Sequence, residues 1–168
     1  MSDFPFDIPT VQPSSGAFVG HRNFLTSTSG AFQRPIKFAG VDYDTNSMYN
    51  TSTGTITIPS SGKWCFSFQW VLEQNSGTQN GLIQPVLYNT TPGINSNNLL
   101  SVADFITQVK LGTNQIQCNT GNVILQCNVG ENFIWSSERE VQSFLILAAN
   151  AGTGRAGNRS YIETHKIA

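Results

Sequence analysis

Trp64, Phe66, Phe68 and Trp70 stand at alternate positions in the stretch GKWCFSFQWVLE, with Cys65, Ser67 and Gln69 between them. A repeat of two places alternate side chains on opposite faces of an extended strand. Each large aromatic buries on the order of 150–250 Å² of surface. Four in a row on one face therefore demand a second layer to cover them. A strand that is wholly aromatic on one side and polar on the other is half of a sandwich.

The rest of the chain agrees. From Gly16 onward the apolar positions repeat with period two, and turn residues interrupt them about every eight to twelve residues, the spacing of an all-β sandwich. AFVGHRNFL reads as a first strand. PIKFAGVDYD reads as a second, with Ile36, Phe38 and Val41 turned inward, and TGTITIPS sets Ile56 and Ile58 against threonines. In GLIQPVLYN, Pro85 points to an edge or a bulge. LLSVADFITQVKL, GNVILQCNVG, NFIWSSE, VQSFLILAAN and SYIETHKI complete a set of ten or so antiparallel strands. No second domain and no repeat are visible, and 168 residues suffice for one domain with a real core.

Residues 16–168 are thus read as one head domain and residues 1–15 as an extended arm. Pro5, Pro9 and Pro13 exclude a helix there. Phe4, Phe6 and Ile8 are apolar and would be costly on a solvated tail. The arm either packs on its own head or docks on a partner. The first residues carry neither a basic start nor an apolar core, so no signal peptide is expected.

Composition narrows the function. Charged residues are 11% of the chain and the formal net charge is −1, so nothing favours nucleic acid or an anionic membrane, and no stretch is long enough to cross one. Cys65, Cys118 and Cys127 are an odd, scattered set, neither a disulfide framework nor a zinc motif. They read as small apolar or edge residues, with a Cys118–Cys127 bridge as the alternative outside a cell.

The stretch from Ile36 to Phe68 resembles the opening half of the globular head of complement first component subunit q, a jelly roll shared with tumour necrosis factor. Ile36, Phe38 and Val41 stand where that family has its Ile-x-Phe-x-x-Val strand. Tyr49 and Asn50, with Thr53 and Gly54, match a Tyr-Asn turn region. Ile58 and Pro59 then lead to Gly62, Trp64, Phe66 and Ser67. GNVILQCNVGENFIW resembles a later hairpin with its Trp, and SYIETHKI the closing strand. Glu163 and Thr164 depart from the Ser-Gly usual there. NFIWSS and SFLILAAN stand where one apolar segment is usual, and the short arm replaces a collagen-like stem. The resemblance implies a jelly-roll β-sandwich and a homotrimer. Tyr161, Glu163 and His165 share one face of the closing strand, with Thr164 and Lys166 on the other. Polar groups on both faces fit a strand that lies against neighbouring protomers, so these three residues are expected at the trimer interface.

No motif points to catalysis or a cofactor. Gly152-x-Gly154-x-x-Gly157 follows an apolar run as in a dinucleotide site, but that site needs a helix and a second parallel strand beyond it, and only NRSYIETHKIA remains. The glycines are expected to join the last two antiparallel strands. Asp42-x-Asp44-x-Asn46 has the start of a calcium loop without its Gly at the sixth position or Glu at the twelfth. A side-chain-to-backbone turn is the favoured reading, with calcium at Asp42 and Asp44 as the alternative. His21 and His165 are assigned structural roles. Glu138 and Glu140 flank Arg139 in a loop. Asn50, Asn89 and Asn158 fit glycosylation sequons at the frequency chance gives in so Asn-rich a chain. Tyr43, Tyr49, Tyr88 and Trp135 are near turns, where aromatics can stack on sugars, although most such residues belong to the core.

The resulting expectation is a non-enzymatic, cofactor-free trimer on a virion surface: a viral or phage fibre head, spike or capsid-decoration protein. Phe4, Phe6 and Ile8 would anchor it to a capsid or other virion protein, and its loops would face a host glycan or receptor. A free, extracellular lectin-like module is the alternative.

Overall fold

The aromatic strand organises the molecule. The computed structural model describes residues 19–24, 35–74, 79–91, 100–111, 115–138, 145–146 and 160–167. The arm with Phe4, Phe6 and Ile8, the glycines at 152, 154 and 157, Arg139, Glu140 and Asn158 lie outside them. The described strands are β1 (Gly20–Phe24), β2 (Gly40–Asp44), β3 (Tyr49–Asn50), β4 (Thr55–Thr57), β5 (Gly62–Gln74), β6 (Gln79–Asn89), β7 (Leu100–Asp104), β8 (Thr107–Leu111), β9 (Gln115–Cys127), β10 (Asn132–Glu138), β11 (Leu145–Ile146) and β12 (Tyr161–Lys166). All pairings are antiparallel.

Two six-stranded sheets face each other. In the first, β5 has β9 along one edge for its whole length and β12 and β11 along the other, and β1 and β2 follow β12. The second runs β3–β4–β10–β6, with β7 and β8 pairing successive stretches of β6. The all-β jelly-roll sandwich expected from the sequence is what the chain forms. The described strands number twelve, because the short piece β3 is added and LLSVADFITQVKL divides into β7 and β8.

The core lies between the sheets. Trp64, Phe66 and Trp70 are fully buried and Phe68 nearly so. Phe66 meets Phe133 of the other sheet at a ring separation of 4.8 Å, and Phe68 meets Trp135 at 5.1 Å and Phe105 at 5.0 Å. Ile36, Phe38, Ile56 and Ile58 are buried, as the alternation requires. Val41 departs from it. A bulge between Arg22 and Asn23 breaks the register of β1 with β2, and on this edge strand Val41 is left 48% exposed.

Pro85 sits in neither an edge strand nor the bulge of β6, which falls between Leu87 and Tyr88. Its carbonyl accepts Phe105 N at 2.9 Å. The amide hydrogen it lacks would point to that same side, where the chain passes from β7 to β8 and the ladder is already interrupted. On β9 the inward position opposite Phe68 is Gly121. A Cβ there would come within 2.6 Å of Phe68 Cε1 and 2.8 Å of Phe105 Cδ1. Gly121→Ala is expected to cost about 1–3 kcal/mol by forcing these rings apart. Urea unfolding measures it, and an unchanged midpoint would show that the rings yield freely.

The glycine-rich connection departs from its expected role. β11 and β12 are not antiparallel neighbours. Both pair with the same edge of β5, Ile146 opposite Leu72 and Tyr161 opposite Gln69. Residues 147–159 therefore separate two collinear pieces of one strand position. Neither piece is the parallel strand of a dinucleotide-binding unit.

Candidate functional site

The outer face of the first sheet, away from the core, gathers the residues that carry chemistry. β12 is an interior strand of this sheet. Alternation buries its Ile162 and Thr164 and turns Tyr161, Glu163 and His165 outward, each half-buried. The structure thus brings the three residues expected at an interface onto one surface.

The register defines their neighbours. Glu163 lies opposite Arg22 of β1 on one side and Ser67 of β5 on the other. Tyr43 of β2 is opposite Arg22, and Asn122 of β9 is opposite Ser67. One row across the sheet therefore reads Tyr43, Arg22, Glu163, Ser67, Asn122. The adjacent row reads His165, Cys65, Ile124, and the row on the other side Tyr161, Gln69, Thr120.

Contacts tie the rows together around one carboxylate. The Tyr43 hydroxyl donates to Glu163 Oε1 at 2.8 Å, and His165 Nδ1 lies 3.6 Å from the same oxygen. Arg22 stacks its guanidinium 4.1 Å above the Tyr161 ring and reaches Asp42 Oδ2 at 3.7 Å. That pair is open to solvent and contributes little to stability. Burial, and then the Glu163 carboxylate, hold the Tyr43 hydroxyl well above its ordinary pKa, so it remains a donor at neutral pH.

The face is charged over β1, β2 and β12 and uncharged over β9, where Thr120, Asn122 and Gln126 are exposed beside Ile124. Ile124 is 58% exposed. A sheet face with a tied polar centre and apolar residues at its margins suits contact with another protein surface.

It does not suit nucleophilic chemistry. A reactive cysteine needs a lowered pKa. Burial pushes the Cys65 and Cys118 thiols up, with Glu163 adding to the effect at Cys65, and burial lifts Cys127 to about 11. All three cysteines are free. Cys118 and Cys127 share strand β9, where nine residues of extended chain separate them by roughly 30 Å, far beyond disulfide reach. His21 points inward and His165 outward, so they cannot converge.

The other candidates resolve locally. Asp44 accepts Met48 N at 2.8 Å and Tyr49 N at 3.1 Å. Its carboxylate holds a tight turn in which Asn46 and Ser47 take φ of 64° and 51°. Asp42 points to Arg22, and no group of three metal-ligating residues occurs among the described residues. Asn50 and Asn89 use their side-chain oxygens to close turns onto Ser52, Thr53 and Thr91. Of the four aromatics near turns, Tyr49, Tyr88 and Trp135 are buried, and Tyr43 belongs to the outer face. Nothing in the sequence around Arg22 marks it as a site residue. Only the pairing of β1 with β12 shows that it faces Glu163.

No protein-family model and no curated protein matches the sequence. Solved structures do match in shape. The globular domain of zebrafish complement 1qA superposes with a TM-score of 0.57 at 17% identity, covering 90% of this chain and 98% of that one. The Eiger TNF of S. frugiperda gives a TM-score of 0.59 at 12% identity, over 90% and 93% of the two chains. Murine APRIL gives 0.58 at 6%, over 89% and 99%. At such identities the likeness is one of fold, and it extends to the full length of those domains: this chain has the jelly roll of the complement 1q globular domain and the tumour necrosis factor proteins.

Proposed function

We propose that this chain is the head of a non-enzymatic homotrimer, assembled through the outer face of the first sheet and working by binding. The observation that carries the reading is the half-buried network that joins Tyr43 of β2 to Glu163 and His165 of the interior strand β12, bordered by exposed Val41 and Ile124. In a threefold ring the contact is heterologous, so one margin of the face meets a different margin of the next protomer. The charged half and the uncharged half of this face are two such margins. The resemblance of SYIETHKI to a closing strand of trimeric heads supports the same assembly.

The arm gives the head its place. Phe4, Phe6 and Ile8 are spaced by prolines and can contribute several kcal/mol on docking, at about 25 cal/mol per Å² of apolar surface, less the entropy of ordering the segment. Three arms in a trimer multiply a modest affinity. We read the assembly as a virion fibre head, spike or capsid-decoration protein fixed by these arms. The low charge and the polar surface support this reading.

Light scattering at micromolar concentration is expected to give a trimer mass; a monomer mass would overturn the assembly. Deleting residues 1–12 is expected to leave a folded trimer, with little change in thermal unfolding, that no longer joins its particle. A truncated chain that unfolds or turns monomeric would make the arm part of the head. One that still attaches in full would place the anchor elsewhere.

A further inference from the structure

The inner face of β1 is polar where a sandwich needs apolar side chains. His21 and Asn23 point into the core and are fully buried, and Thr164, opposite His21 on β12, is fully buried too. His21 Nδ1 lies 2.9 Å from Asn23 Oδ1. That oxygen can only accept, so Nδ1 carries the hydrogen and Nε2 presents a bare lone pair. Nε2, Asn23 Nδ2 and Thr164 Oγ1 have no hydrogen-bond partner among the described residues. Buried polar groups left in this way are costly and rare. The ring stacks on Tyr49 of the opposite sheet, with centroids 5.4 Å apart.

We propose that His21 is an acid-sensitive latch: a proton on Nε2 releases β1 from β12 while β5 and β9 remain paired.

The charged neighbours are already committed. Asp44, opposite His21 on β2, has both carboxylate oxygens occupied by Met48 N and Tyr49 N. Glu163 on β12 lies on the outer face, held by the Tyr43 hydroxyl and beside His165. Arg22 also faces outward, toward Asp42. Tyr49 stays a neutral phenol whose oxygen accepts Phe38 N, its pKa pushed up to about 12 by burial. Among the described residues no acceptor pairs with Nε2. Burial therefore outweighs Asn23, Asp44 and Glu163, which favour the charged ring, and lowers the His21 pKa to about 4. Opening β1 exposes the ring to water and relieves this. β1 is five residues long, whereas β5 and β9 pair along thirteen. Local opening at β1 thus gives up far less structure than opening the β5–β9 pair.

Hydrogen exchange of the full chain, corrected for intrinsic rates at each pH, tests the proposal. Between pH 6.5 and 4.5 the protection of amides 20–24 is expected to fall by roughly tenfold or more relative to β5 and β9. In His21→Gln this pH dependence is expected to disappear. Equal loss in β1 and β5, protection of β1 that ignores pH, or a variant that keeps the dependence would each overturn the latch. If the variant does not fold, the ring titration of wild-type His21 decides: a value near 6.5 in the folded protein overturns it, and one well below supports it. Light scattering at each pH distinguishes release of β1 from separation of subunits, so failure of the trimer reading and failure of the latch give different results.

Discussion

Phe66→Ala is expected to lower the stability of the head by about 3–5 kcal/mol. Phe66 is fully buried at the centre of β5 and packs across the sandwich on Phe133. Its β-ladder partners are Thr164 on one side and Val123 on the other. Trp64 and Phe68, its neighbours on the same face, are also buried. Rings held between two sheets cannot move in to fill the space, so the cavity term adds to the lost transfer energy. Urea unfolding of the variant measures the loss. Ser67→Ala, one position along on the outer face, is expected to change stability by no more than about 0.5 kcal/mol. A loss below about 1 kcal/mol for Phe66→Ala would mean that the aromatic face is not the core.

The alternation that makes this result predictable is also what makes the fold legible. Trp64, Phe66, Phe68 and Trp70, or Ile56 and Ile58, declare their faces because one side of each strand is apolar and the other is not. β9 shows where such reading stops. Its inward residues include Asn119 and Gly121, which carry no apolar signal. Gly121 is inward because Phe68 and Phe105 leave no room for a side chain, a constraint imposed by residues distant in sequence. The N-terminal half of β9 is therefore invisible to periodicity, and the strand begins at Gln115 rather than Gly121. Val41 misleads for a related reason, since a bulge depends on two strands and a sequence shows only one. The glycine-rich stretch after Ile146 looks like a link between neighbouring strands until the pairing of β11 and β12 with one edge of β5 is known.

The outer face was legible in part. SYIETHKI alone places Tyr161, Glu163 and His165 together, because alternation works within a strand. What they meet is decided by which strands lie alongside. Arg22 and Tyr43 come from segments some 140 and 120 residues away, and only the order β2–β1–β12–β5–β9 brings them to Glu163. The same limit hid the buried face of β1. In Gly20–Phe24 the sequence GHRNF has a charged or polar side chain on either face, so neither side could be named as the core.

That buried histidine makes a second large effect expected, on the pH dependence of folding. In the unfolded chain His21 titrates near 6.5, and in the folded head near 4, because burial disfavours the charged ring. The unfolded state therefore binds the proton more readily. The contribution to stability is complete above pH 6.5 and is lost as pH falls toward 4. A shift from 6.5 to about 4 corresponds to a loss of about 3 kcal/mol by pH 4, at 1.36 kcal/mol per unit. Urea titrations of wild type and His21→Gln at pH 7 and pH 4 isolate this term, because the carboxylates that also titrate are common to both. The wild type is expected to lose about 3 kcal/mol more than the variant over that interval. The variant is expected to start lower at pH 7, since an amide in place of the ring gives up the stacking on Tyr49, and to have a flatter curve. Equal losses in the two proteins would show that His21 is hydrated or paired in solution. A wild type more stable at pH 4 than at pH 7 would reverse the sign and place an anion against the ring.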